Sequence, residues 1–432
     1  MLAALGLLTI LAVLAGILSK RVSPMIALIA FPVIGCALAG EAGDLGSYIS
    51  DGIRTVAPMA AMFLFAILFF GLMSDANLFK PAVAFIVKTT RGNPASIAVG
   101  TVLLASLVHL DGSGASTFMI AIPALLPIYD NLGMDRRVLA ASVSMAAGVG
   151  NMLPWGGPTI RAATALDKPV MEIFLPLLPV YLSGFIAAVV IAWLLGKRES
   201  LRLAATAGGI KANEVAGDSG QDAEGEGRLD LKFAVNAAIV LLVVGILFSS
   251  LLPPAGAFML GLVLAALVNT PNLAAQEAML KRHAPAAISM VAILFAAGVF
   301  TGVMRGSGML AAVSAAGTGL LPAEATSTIP VWLAILSVPL SLLFDPDSFY
   351  FGILPVLANI GAQSGVPVDH IAHAALVGQM TVGFPVSPMT PATFLLVGLA
   401  RIELADHQRF TLPLLFGISL LMSVVGIVLG VI

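Results

Sequence analysis

Apolar runs of membrane-crossing length follow one another along this chain, beginning with Leu2–Leu18, Pro24–Gly40 and Ala57–Ser74. A helix needs roughly 20 apolar residues to cross the hydrocarbon of a bilayer. Apolar residues make up 59% of the sequence and charged ones 10%, against about 25% charged in an ordinary soluble domain. A chain so poor in charge cannot cover a water-facing surface, which excludes a soluble enzyme. A net charge of −2 and the lack of a basic stretch argue against nucleic-acid binding. The lone cysteine, Cys36, excludes an internal disulfide and a cysteine-based metal cluster. With 43 Gly and 26 Pro, the expected fold is an all-α polytopic membrane protein whose helices are interrupted on purpose.

The remaining apolar segments organise this expectation. Ala95–Val108 and Thr117–Ile128 flank a polar, Gly-rich tip and read as a re-entrant hairpin (95–128). Val138–Leu153 runs into a Pro/Gly break, so that 138–166 is a broken helix, and Ile173–Leu195 is the next span. If the hairpin enters and leaves on one side, Lys20, Arg21, Lys80, Lys88, Arg91, Arg136, Arg137, Lys197 and Arg198 share one face, while Arg54, Arg161 and Lys168 lie toward the other. That bias makes the first face cytoplasmic and puts the N-terminus outside, in a multi-pass membrane protein. Residues 197–232 hold six basic and seven acidic residues and read as a disordered cytoplasmic linker.

The second half repeats the order. Phe233–Leu252, Gly256–Val268 and Ala286–Met304 span; Pro330–Phe344 and Phe349–Asn359 form a second hairpin (330–359); 371–400 is a second broken helix, with Ile371–Phe384 before its break; Thr411–Val431 ends outside. Asp111 to Pro154 is 43 residues, as is Asp345 to Pro388, and Gly133-Met134-Asp135 has a partner in Gly365-Val366-Pro367. Each half, 1–196 and 233–432, thus carries five spans and a hairpin. Five is odd, so the halves are inverted repeats, the plan of a secondary transporter with a site near the bilayer midplane. Leu2–Leu18 lacks a basic n-region and reads as a retained span, and Val33-Ile34-Gly35-Cys36 only faintly resembles a lipoprotein box.

The chemistry-bearing residues sit at the tips and breaks. In the first tip, Gly112 and Gly114 let backbone N–H groups turn toward a small anion, and Ser113, Ser116 and Thr117 add hydroxyls beside a helix start. Asp111 is a carboxylate inside the membrane, costly unless functional, although it would also cap the hairpin helix. In the first break, Pro154 and Pro158 free backbone carbonyls, Asn151 and Thr159 supply side-chain ligands, and Trp155 either shapes a pocket or anchors at an interface. Arg161 suits a substrate carboxylate, or equally a salt bridge or an outer-face snorkel. The second tip carries Asp345, Asp347 and Ser348; with Asp111, its two carboxylates are candidates for coupling to protons or cations, against a pair of helix caps. The second break offers Ser387, Thr390 and Thr393, mirroring Thr159. His109 is either a proton shuttle or, more commonly, structural. His370 and His373 lie toward the outer side without a third metal ligand.

Five stretches in order resemble the citrate–divalent metal:proton symporter family (CitMHS) of the ion-transporter superfamily: Leu110-Asp111-Gly112-Ser113-Gly114, Asn151 through Arg161, Asp347-Ser348-Phe349-Tyr350-Phe351-Gly352, Ser387-Pro388 leading to Phe394 through Leu399, and Asp406-His407-Gln408-Arg409-Phe410-Thr411. The resemblance implies proton-driven uptake of citrate complexed with a divalent cation (Mg, Ca, Zn or similar), with no resident cofactor and no metal held by the protein alone. It also implies a homodimer with a scaffold and a moving transport domain. Carried over by position, the substrate candidates are Asp111, Gly112, Ser113, Asn151, Gly156, Gly157, Thr159, Arg161, Asp347, Ser348, Ser387 and Thr393. The chain departs from the family in a longer Met380–Pro385 stretch and in Arg401. The competing readings are sodium-coupled transport of a di- or tricarboxylate without metal, and a cation/proton antiporter; Arg161 and the hydroxyl-rich breaks favour an organic anion over the latter. A membrane enzyme would want a clustered base and nucleophile or a metal triad, and neither is present in the sequence pattern.

Overall fold

Without water in the hydrocarbon, a backbone satisfies its own N–H and C=O groups only as a helix or a closed barrel. The computed structural model, which describes residues 1–432 except 20, 77, 79–80, 82–91, 207–230, 250 and 321–325, takes the first route. Seventeen α-helices and no strand occur among the described residues. Six are long and apolar enough to cross a membrane, and shorter apolar helices accompany them. The surface is turned inside out relative to a soluble protein: Leu182, Ile186, Leu241, Leu267 and Trp332 are exposed, whereas Ser142, Gln379 and His407 are buried.

The order of elements repeats. In the first half come α1 (Leu2–Leu18), α2 (Pro24–Leu38), α3 (Leu45–Asp75), the hairpin arms α4 (Pro94–Val108) and α5 (Gly114–Asn131), the broken helix α6 (Arg136–Gly150) and α7 (Gly157–Leu166), and α8 (Val170–Thr206). The second half follows with α9 (Leu231–Ser249), α10 (Pro254–Asn269), α11 (Leu273–Gly306), α12 (Met309–Leu320), the arms α13 (Ile329–Ser341) and α14 (Leu354–Gln363), the broken helix α15 (Val368–Leu376) and α16 (Pro391–Ala400), and α17 (Leu404–Val428). The turns repeat as well. Gly133 and Gly365 both take positive φ (67° and 81°) between a hairpin and a broken helix, and Asp167 and Arg401 both end a broken helix in the left-handed region (58° and 55°).

α3 and α11 are counterparts, and they form the most extensive helix–helix contact among the described residues. Tyr48 meets Gly302 and Gly306, Gly52 meets Gly298 and Gly302, and Gly71 meets His283. Rising numbers on one helix meet falling numbers on the other, so the pair is antiparallel, as inverted halves require. Backbone touches backbone along this seam: a Cβ on Gly52 would collide with the carbonyl of Gly298.

Several boundaries differ from the sequence expectation. α3 and α11 begin at Leu45 and Leu273, well ahead of Ala57 and Ala286; Asn272 caps the latter by accepting from Ala275 N–H, and the added turns of α3 pack against α11. α8 continues to Thr206, so the first ten residues of the expected linker are helical. They are held by Glu199, which takes Asp135 N–H and pairs with Arg202, itself donating to Gly133 C=O. Lys20, Lys80, Lys88, Arg91 and most of the linker lie outside the described residues. The return arm of the second hairpin opens with a π-helical turn, Ser348–Ile353; Pro355 has no N–H to give one turn back, and the ladder widens ahead of it.

Candidate functional site

The two aspartates placed in register by equal spacing do equivalent local work. Asp111 accepts Ser113 N–H (2.8 Å) and the Ser116 hydroxyl. Asp345 accepts the N–H groups of Asp347 (3.0 Å) and Ser348 (3.1 Å) and the Ser348 hydroxyl. Each carboxylate therefore holds the start of its hairpin's return arm, where several N–H groups lack intrahelical partners. Gly112 at φ 71° makes the turn between the arms possible. Thr117 donates to Ser113 C=O and takes His109 Nδ1 at 2.8 Å. That leaves His109 Nε2 buried without a well-formed hydrogen bond, so His109 serves here as a buttress of the tip.

The tip of the first hairpin lies against both breaks. Gly112 faces the Trp155 carbonyl, Trp155 Nε1 donates to Leu110 C=O (2.7 Å), and Gly114 faces the Phe384 ring. Trp155 is buried among Phe70 and Phe258, which decides against an interface anchor. Across the centre, Asn151 Nδ2 donates to Met380 C=O (2.7 Å), and Gly148 lies against Thr381 and Val382. The two breaks thus touch. The first is short, from Asn151 to Gly156, and Thr159 spans it with a hydroxyl bond to Met152 C=O (2.9 Å). The second is longer: α15 ends at Leu376 rather than near Phe384, Met380 takes a left-handed φ of 53°, and Thr390 and Thr393 both bond to Phe384 C=O.

Beneath the second tip, Ser387 donates to Ser341 C=O, Ser341 takes Met380 N–H (2.8 Å), and Tyr350 donates to Gln379 C=O (2.7 Å). Asp347 turns away from its neighbour Asp345 and accepts Arg161 Nε at 2.7 Å. Arg161 arises from α7, so this pair joins the halves, and both side chains are at most 10% exposed. A cleft of 550 Å³ opens at this tip, lined in part by Arg21, Asp345, Asp347 and Thr390. The structure thus brings Asp347 to Arg161 and, with Asp345 and Thr390, to one cleft, and it brings Gly112, beside Asp111, to Trp155 and Asn151 to Gly156. Gly156 and Gly157 start α7 with no side-chain cap. His373 is no ligand: it is wedged between the carbonyls of Ile173 and Val431.

Four supporting residues were not among the expected ones. Ser341 is a small polar residue in an apolar arm, facing Gly383 and donating to Gly378 C=O, and no spacing singles it out. His407, Gln408 and Thr411 belong to the late stretch used for the resemblance. His407 Nε2 meets Pro385 C=O (3.0 Å), Gln408 donates to Val386 C=O (2.8 Å), and Thr411 meets His407 Nδ1. They hold carbonyls that the prolines of the second break leave free.

Against known proteins, the CitMHS family, described as citrate transporter, matches residues 1–378. The chain belongs to the CitMHS citrate transporter family. The chain is 37% identical over 432 residues to the citrate transporter of Bacillus subtilis (strain 168), covering both proteins in full. It is 35% identical to the Mg(2+)/citrate complex secondary transporter of the same organism, covering 100% of this chain and 99% of that one. Its fold is similar to the crystal structure of the Alcanivorax borkumensis YdaH transporter, with a TM-score of 0.64, 14% identity and 90% of each chain covered. This CitMHS member is a multi-pass membrane transporter and not an enzyme.

Proposed function

We propose that this CitMHS transporter takes up citrate as a complex with a divalent metal ion, coupled to protons. The observation that carries this reading is Arg161, a buried cation one turn into α7 where the two halves meet. A guanidinium beside a helix start is suited to a carboxylate. Complexation by a dication turns the citrate trianion into a monoanion, which greatly lowers the cost of leaving water. The naming of a 35%-identical relative for the Mg(2+)/citrate complex supports the same substrate class.

In this reading the metal (Mg, Ca, Zn or similar) arrives with citrate as cargo. Arg161, Asn151, Gly156, Gly157 and Thr159 line the seat from the first break. Gly112, Ser113, Gly114, Ser116 and Thr117 close it from the first tip. Ser348, Ser387, Thr390 and Thr393 close it from the second half, while Asp111, Asp345 and Asp347 are the coupling carboxylates. The protein is a homodimer in the bacterial inner membrane, built of repeats 1–196 and 233–432 around a cytoplasmic linker, with both termini outside the cytoplasm.

Reconstituted full-length protein tests the reading. Labelled citrate is expected to enter liposomes only with a divalent cation present, driven by an imposed pH gradient and not by a sodium gradient. Uptake indifferent to divalent cations removes the metal complex from the proposal, and uptake driven by sodium alone replaces the proton.

A further inference from the structure

Among the described ion pairs, Arg161–Asp347 is the one with both partners buried. It is also incomplete. A guanidinium has five N–H donors in a planar fork and binds a carboxylate best through two of them. Arg161 uses one, Nε, and no described group accepts from either Nη, although the residue is only 6% exposed. Nη1 points to Gly157, where a Cβ would come within 2.8 Å of it. The unused edge of the fork therefore faces the uncapped start of α7, in a space kept open by a glycine.

The pair is not an architectural need of the repeat. The offset that carries Asp111 onto Asp345 and Asp167 onto Arg401 carries Arg161 onto Leu395 and Ser113 onto Asp347. The first hairpin meets the second broken helix without an ion pair at the matching positions. The charge pair belongs to the second hairpin alone, next to the open cleft.

We propose that Asp347 is a placeholder. It occupies the seat of a substrate carboxylate at Arg161 while the site is empty, and it is displaced, as a neutral protonated acid, when the substrate carboxylate takes both arms of the fork. The charge at Arg161 is conserved through the exchange: one carboxylate leaves, one arrives, and one proton is taken up at the Asp347 oxygen. This rests on the carboxylate reading above and adds the order of events. The charged and titratable groups around Asp347 are few. Arg161 faces it from α7, Arg21 from the α1–α2 connection, and Asp345 and Tyr350 from its own hairpin. α1 and α14 carry no titratable side chain, and the charged residues of α11 are engaged elsewhere: Glu277 with Lys281, Arg282 and His283 with Asp75, and Arg305 with Asp167.

The test is equilibrium binding of Mg–citrate to the purified full chain by calorimetry. A residue that merely touches substrate loses affinity when neutralised, whereas a competitor that is neutralised improves it. Asp347→Asn is expected to bind at least about tenfold more tightly than wild type and to lose proton-coupled accumulation in liposomes. Unchanged or weaker binding by Asp347→Asn overturns the proposal. Should that variant not fold, the wild type decides alone. Over about pH 7.5–9, where citrate is almost wholly the trianion, wild-type affinity is expected to rise by up to about tenfold per unit of acidification. Asp347→Glu, which keeps the competing acid, keeps that slope. A flat wild-type profile overturns the exchange. Wild type that neither binds nor transports citrate with any divalent cation sinks the substrate reading and the exchange with it. Wild type that transports normally while Asp347→Asn fails to gain affinity sinks the exchange alone.

Discussion

Asp111 and Asp345 each combine a cap with a charge, and one substitution separates the two. Asn caps a helix start about as well as Asp, so Asp111→Asn should keep thermal stability near wild type while abolishing citrate uptake. A variant of normal activity would reduce Asp111 to a cap. Arg161→Ala should also abolish uptake, and it should destabilise by about 3–5 kcal/mol, because it strands a buried Asp347. The double variant Arg161→Ala with Asp347→Asn should recover much of that loss in thermal denaturation. Outside the membrane, Asp135 caps α6. Burial pushes its carboxyl up, but hydrogen bonds from the Arg137 side chain and backbone outweigh this and hold it below the usual carboxylate range. A lowered value in the fold means stability that is present above the ordinary range and is lost as pH falls through the lowered value. Asp135→Asn should therefore flatten the loss of melting temperature below about pH 4. The tip carboxylates were legible in the sequence because a charge inside an apolar run stands out. The pairing of Arg161 with Asp347 was not, since their contact joins positions 186 apart and only the antiparallel packing of the halves brings them together.

At the scale of elements, the ends of α7 and α16 explain the unexpected Arg401. It sits where the helix terminates with φ 55°, a conformation that suits glycine. Arg401→Gly should stabilise the protein by up to about 1 kcal/mol, read as a higher melting temperature. Asp167→Gly gains less, because Asp167 also pairs with Arg305 at 2.8 Å. His407→Ala should instead destabilise, since it leaves Pro385 C=O buried without its donor. Hairpin arms and the helix after the first break were predictable to within a few residues, because prolines, glycines and caps mark their ends. The second break comes earlier than the sequence suggests: Ile371–Phe384 reads as continuous apolar helix, yet Gly378 and Gly383 let the chain leave it at Leu376 to lie against Ser337 and Ser341. Close approach of backbones leaves no periodic trace.

Over the whole molecule, the sidedness of charge makes a prediction of its own. Alkaline phosphatase fused after Ile432 should be active in intact bacteria, and a fusion within 207–230 inactive. The reverse pattern would turn the proposed orientation over. The seam between α3 and α11 has a different bearing. Where Gly52, Gly298 and Gly302 bring main chain onto main chain, no layer of pliable side chains is left to absorb a sliding displacement. These two helices are suited to act as a keel in the proposed transport cycle, with the rocking left to parts hung on either side of it. Cross-linking the keel to itself should leave turnover intact, whereas tethering the second hairpin to α7 should freeze it.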